Sequence, residues 1–172
     1  MQHLKPGELV SLEHGGRHYV FLILSRSAFF GCQWTFALHR TFSEVPGDGS
    51  IDLNAESGFV ALIDFIEPRR SNALVRIRKG VETSTYLSFT RTKKLIDQGV
   101  LGPPLWYIYD RAWRILKQEP ELTEEELDYP IGSGMKAHEA FELVDARWTP
   151  RVLASRWTRN IKPRRSQDSS PL

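Results

Sequence analysis

Two adjacent glycines, Gly15-Gly16, stand between two strand-like runs, Glu8–Glu13 and His18–Leu24. A tight two-residue turn needs positive φ angles, and glycine supplies them without steric penalty. The spacing therefore predicts an antiparallel hairpin over residues 8–24. Pro6-Gly7 marks the entry to the first strand. The second strand carries the longest apolar run of the chain, Tyr19–Leu24, which is long enough for a buried strand and far too short to cross a membrane.

Further strands follow from alternation. In Cys32–Phe42, Trp34, Phe36 and Leu38 alternate with Gln33, Thr35 and Ala37. Gly58–Ile66 is an apolar strand ended by Glu67-Pro68, and Arg69–Asn72 is a polar turn. Ala73–Lys79 places Arg76 and Arg78 on one face, and Thr83–Thr90 is strand-like by its Thr, Tyr and Phe content. Thr92–Val100 reads as a short helix stopped by glycine, and the aromatic segment Leu105–Leu116 as a central strand or a bent strand pair. Thr123 with Glu126 fits a capping box, which predicts a helical turn over Glu124–Leu127. Tyr129–Gly134 reads as a loop. Ala137, Phe141, Val144 and Trp148 recur at helical spacing, so Met135–Trp148 is expected to be a helix, with a second over Arg151–Arg159. Strands followed by helices define an α+β class. The expected architecture is a strongly bent antiparallel sheet or small β-barrel with a C-terminal helix packed on it. A single domain over 1–159 would precede a basic tail over 160–172, expected to be disordered from its Ser and Pro content.

Charge is segregated along this chain. Glu119–Ala146 holds nine acids and one base, a formal −8, whereas the whole protein of 172 residues carries +2. An acidic surface steers basic partners and repels nucleic acid. The front half of the block, Glu119–Tyr129, has no packing periodicity to explain its acids. Glu121, Glu124, Glu125 and Asp128 are its candidate partner-binding charges, and Tyr129 its aromatic anchor.

Catalytic signatures are sparse. No glycine-rich phosphate loop is present, and Ser133 in Gly132-Ser133-Gly134 lacks the strand–turn–helix setting of a nucleophile elbow. His14 and His18 flank the glycine turn, where the ordinary role of histidine is solvated and not metal-binding. Adjacent glutamates at 124–126 form a solvated face more readily than an acid/base pair, which needs two carboxylates in different environments. No catalysis, cofactor or metal is expected. Cys32 is the sole cysteine, so no intrachain disulfide forms, and its apolar neighbours suit a structural thiol. The first residues lack a basic n-region followed by an apolar stretch, and with no membrane span a cytoplasmic location is expected. The alternative function is a nucleic-acid-binding small β-barrel. Arg69, Arg70, Arg76, Arg78, Lys79, Arg91, Lys93 and Lys94 make a basic middle, and Trp106, Trp113, Trp148 and Trp157 are aromatics that either stack bases or anchor the core. The acidic block disfavours that alternative.

The opening Pro6-Gly7-Glu8-Leu9-Val10-Ser11-Leu12, with Gly16-Arg17-His18-Tyr19-Val20-Phe21-Leu22-Ile23-Leu24, resembles bacterial polymorphic-toxin immunity proteins of family twenty-six. The later Trp106-Tyr107-Ile108-Tyr109 strand, the Tyr129-Pro130 turn and the closing helix with Trp148 are similar in order and spacing, over about residues 5–148. The resemblance implies an α+β protein without catalysis that forms a neutralising complex with a cognate toxin. Many such toxins are nucleases with basic substrate clefts, which an acidic segment can fill by mimicking phosphates.

Overall fold

Gly15 and Gly16 adopt φ angles of +59° and +73° and close a two-residue turn that pairs His14 with Arg17. The hairpin read from the sequence is therefore present as β1 (Leu9–His14) and β2 (Arg17–Arg26). The computed structural model describes residues 4–26, 32–71 and 73–160, with the backbone alone at 26, 69–70 and 156–160. Residues 161–172 of the expected tail and the Trp157 side chain lie outside the described residues, as does Asn72 of the polar turn, whereas Asn160 ends the last helix.

The chain continues through β3 (Cys32–Phe42), β4 (Gly58–Asp64), the short α1 (Ile66–Arg70) and β5 (Leu74–Arg78). Next come β6 (Arg91–Ile96), β7 (Leu105–Asp110), β8 (Ile115–Glu119) and β9 (Ile131–Lys136), then α2 (Ala137–Asp145) and α3 (Pro150–Asn160). The strands form one nine-stranded sheet in the order β5-β1-β2-β3-β4-β9-β6-β7-β8. The α+β class holds, but the sheet is not a closed barrel: β5 and β8 stand at its two ends. Nor is it wholly antiparallel, because β9 runs parallel to both β4 and β6.

Three local expectations change, and the alternative left open for 105–116 is decided. Residues 92–100 are not a helix: Arg91–Ile96 pairs along its whole length with β7 and is a strand. Residues 83–90 are not a strand: Ser84–Leu87 forms a 3-10 turn. Residues 131–134 are not a loop but the start of β9, inserted between β4 and β6. The aromatic segment 105–116 is a strand pair whose partner strand extends to Glu119.

Both faces of the sheet are covered, as the unbroken apolar run of β2 requires. On one face Tyr19, Phe21 and Ile23 pack with Ala61, Ile63 and, from α2, Phe141 and Val144. On the other, Val20, Leu22 and Leu24 pack with Trp34, Phe36 and Leu62. Connecting segments bearing Leu53, Tyr86, Leu87 and Phe89 cover this second face. The helix on the first face is pinned by charge as well as packing. Arg17 grips the Asp145 carboxylate through two hydrogen bonds of 3.0 and 2.8 Å, and the Tyr19 hydroxyl donates to the same group at 3.0 Å.

Candidate functional site

The acidic front segment begins where β8 ends, at Glu119, and closes in a 3-10 turn over Glu126–Asp128. The capping box is formed: the Thr123 amide donates to Glu126 Oε2 at 2.8 Å, and the Glu126 amide donates to Thr123 Oγ1 at 3.4 Å. Its helical yield is smaller than expected, since the turn runs straight into β9 through Tyr129-Pro130.

Much of the acidic charge has an internal partner, which corrects the expectation that this segment lacks structural cause. Arg151 of α3 binds the Asp128 carboxylate with two hydrogen bonds of 2.9 and 2.7 Å and reaches Glu124 Oε2 at 2.7 Å. It also donates to the Glu124 carbonyl at 2.9 Å. Glu126 is buried and accepts from Lys117 of β8 at 3.1 and 3.3 Å. Burial opposes ionisation of Glu126, but the Thr123 amide and the Lys117 ammonium outweigh it, so its carboxyl titrates below the usual range. The Arg151 hydrogen bonds likewise hold Asp128 low. Glu125 accepts from the Tyr129 hydroxyl at 2.9 Å, and that hydroxyl in turn lies 3.4 Å from an Arg91 N–H. Tyr129 is thus half-buried within the segment's own network and is not a projecting anchor.

Beneath the turn lies Lys93 of β6, with no exposed surface. Its Nζ donates to the carbonyl oxygens of Glu126, at 3.2 Å, and Leu127. Burial pushes this amine down to about 7; the nearby Asp128 charge pulls it up and Arg151 pulls it down again. Lys93 therefore ties the turn to the sheet, whereas the sequence pattern grouped it with a basic surface. Other members of that basic middle are also engaged: Arg76 pairs with the buried Glu8 at 2.9 Å, and Arg78 with Asp48.

Glu121 is different. It is exposed, and no ion pair among the described residues involves it or Glu119. Pairing of Trp106 with Glu119 and of Leu105 with Ile96 places the β6–β7 loop at the same end of the sheet as these two acids. That loop carries Val100 and Leu101, which are 92% and 86% exposed. Ile115 and Leu116 of the end strand β8 are also exposed. Two bare acids (Glu119 and Glu121) and an apolar loop tip thus share one end of the sheet, whereas the 126–128 turn lies toward the other end of β6, where Tyr129 meets Arg91. Sequence reasoning found the acids but missed the apolar tip. The adjacent Val100-Leu101 beside Gly99 and Gly102 was its available signal, masked by assigning 92–100 to a helix.

Among the described residues, no three His, Cys, Asp or Glu side chains come together in a way that could hold a metal ion. His14 stacks on Phe141 at 4.9 Å, and His18 Nδ1 lies 3.1 Å from Ser11 Oγ. His39 donates from Nε2 to the Trp148 carbonyl at 2.9 Å. No described helix is long and apolar enough to cross a membrane. In comparisons with known proteins, no family, no curated protein and no solved structure matches the chain.

Proposed function

We propose that this protein is a non-catalytic inhibitor that binds a basic partner protein through the β8 end of its sheet, as an immunity protein binds a nuclease-type toxin. The observation that supports it best is the juxtaposition of bare acids with exposed apolar residues. Glu119 and Glu121 lie at the end of the sheet where Val100 and Leu101 project. Acids steer a cationic partner into register, and desolvated apolar anchors supply the lasting affinity. The paired acids still take part in the field, since Arg151 is one cation shared by Glu124 and Asp128.

The division of roles refines the expected binding set. Glu121 retains the role read from the sequence, and Glu125 contributes charge from the rim. Glu124, Asp128 and Tyr129 shape the segment before they meet any partner. The test is co-expression with the protein encoded beside this gene, scored by growth. The intact chain restores growth. Glu119→Lys with Glu121→Lys, and separately Val100→Ser with Leu101→Ser, abolish the rescue while leaving the melting temperature within a few degrees, because all four side chains are exposed. Full rescue by both double variants contradicts the proposal.

A further inference from the structure

β9 carries glycine at 132 and 134, two residues apart, so both face the same side of the sheet. That side is the one opposite α2, because Met135 of β9 packs with the α2 cluster while Leu62 of the neighbouring β4 packs in the other. The strand therefore leaves a trench floored by backbone. Its cavity is about 490 Å³, walled by Cys32 and Leu62 on one flank and by Lys94 and Tyr109 on the other, with Trp113 at one end. That volume lies within the range of small-molecule sites. A side chain at either glycine would crowd its neighbours. A Cβ at 134 would come 2.9 Å from Cys32 Sγ, and one at 132 would come 3.2 Å from both the Trp113 ring and Thr92 Oγ1.

Three further observations point to a ligand. Trp113 sits at φ +62°, a left-handed conformation that strains a bulky residue. The turn that imposes it is tightly bonded: Asp110 Oδ1 accepts from the Ala112 and Arg114 amides at 2.8 and 2.9 Å, and the Trp113 amide donates to the Asp110 carbonyl at 3.1 Å. The strained ring is thereby fixed, parallel to Trp34 at 6.0 Å and inclined to Tyr109 at 5.9 Å. Second, Thr92 Oγ1 is buried beside Gly132 without a hydrogen-bond partner, which is unfavourable for a hydroxyl. Third, no ion pair among the described residues involves Lys94, which leaves a cation on the trench wall. Flat backbone, aromatic edges and a single cation together suit one kind of molecule.

We propose that this cavity binds a planar aromatic ligand bearing one anionic group, with its ring against Tyr109 and Trp113 and its charge on Lys94. The site is separate from the β8 end and does not depend on the inhibitor reading. Two fluorescent probes of similar shape test it on the full chain: 8-anilinonaphthalene-1-sulfonate, which is anionic, and N-phenyl-1-naphthylamine, which is neutral. Both saturate a single site. Lys94→Gln weakens the sulfonate at least tenfold and leaves the neutral probe unchanged. Trp113→Gly, which relieves the positive φ and so keeps the turn, weakens both. The proposal is overturned if neither probe saturates, if Lys94→Gln leaves the sulfonate unchanged or weakens both probes equally, or if Trp113→Gly affects neither.

Discussion

Lys93 shows how far a single residue can depart from its sequence reading. Within a run of bases it suggests a cationic surface, yet its ammonium is enclosed beneath the Glu126–Asp128 turn and titrates at about 7. The sign of the consequence follows from its ordinary value of 10.5. Below about 7 the amine is charged in both folded and unfolded chains, and the full cost of burying the charge is present. Between about 7 and 10.5 the unfolded chain holds the proton that the folded one has released, so stability rises with pH, by at most about 1.4 kcal/mol per unit. Chemical denaturation from pH 6 to 10 is expected to show this rise, and Lys93→Met is expected to remove it. An unchanged slope in the variant would contradict the buried-amine account. The acidic limb has the opposite origin. Glu126 and Asp128 have depressed carboxyls, so the stability they add is present above their unfolded values near 4 and is lost as pH falls below them.

Among the elements, the β1–β2 hairpin was legible because its determinants are local: two glycines at the turn and an apolar run beside it. Replacing Gly16 with Ala forces a Cβ into positive φ and is expected to cost about 1 kcal/mol in urea unfolding; no loss would mean that the turn relaxes to another type. β6 and β9 were not legible, for physical reasons. Thr92–Ile96 has no strong strand preference of its own, and its conformation is imposed by β7 along its length and by β9 on its other side. Ile131–Lys136 looks like a loop because of Gly132 and Gly134, yet those glycines let the strand pass close to Cys32 and Trp113. A glycine pair at i and i+2 between apolar residues was the missed sign of a one-sided strand. α3 is held to the acidic segment largely by Arg151. Arg151→Ala is expected to speed amide exchange throughout α3 and the 126–128 turn while leaving β1–β4 unchanged. Equal exchange in both regions would show that Arg151 does not fasten that helix.

For the whole molecule, the charge segregation that dominates the sequence becomes a sorting problem. Asp145 fastens α2, Glu139 accepts from the Lys136 amide at the start of that helix, and Glu124, Glu126 and Asp128 are matched by Arg151 and Lys117. Composition alone cannot separate such acids from bare ones, because their partners lie up to 128 residues away in the chain. Glu119, Glu121, Glu125 and Glu142 remain without an ion pair among the described residues, and the first two stand at the open end of a sheet whose order terminates in β8, beside the exposed Val100 and Leu101. An exposed edge strand is a ready surface for another chain, and here acids and apolar residues border it together. The most direct measurement is amide-exchange footprinting of this chain mixed with the product of the gene beside its own, the basic partner proposed above. Protection is predicted over residues 98–102 and 115–122, with weakening of the complex by about an order of magnitude as salt rises from 50 to 500 mM. Protection confined to the β5 edge or to α2, with residues 98–102 and 115–122 exchanging as they do in the free chain, would contradict the account.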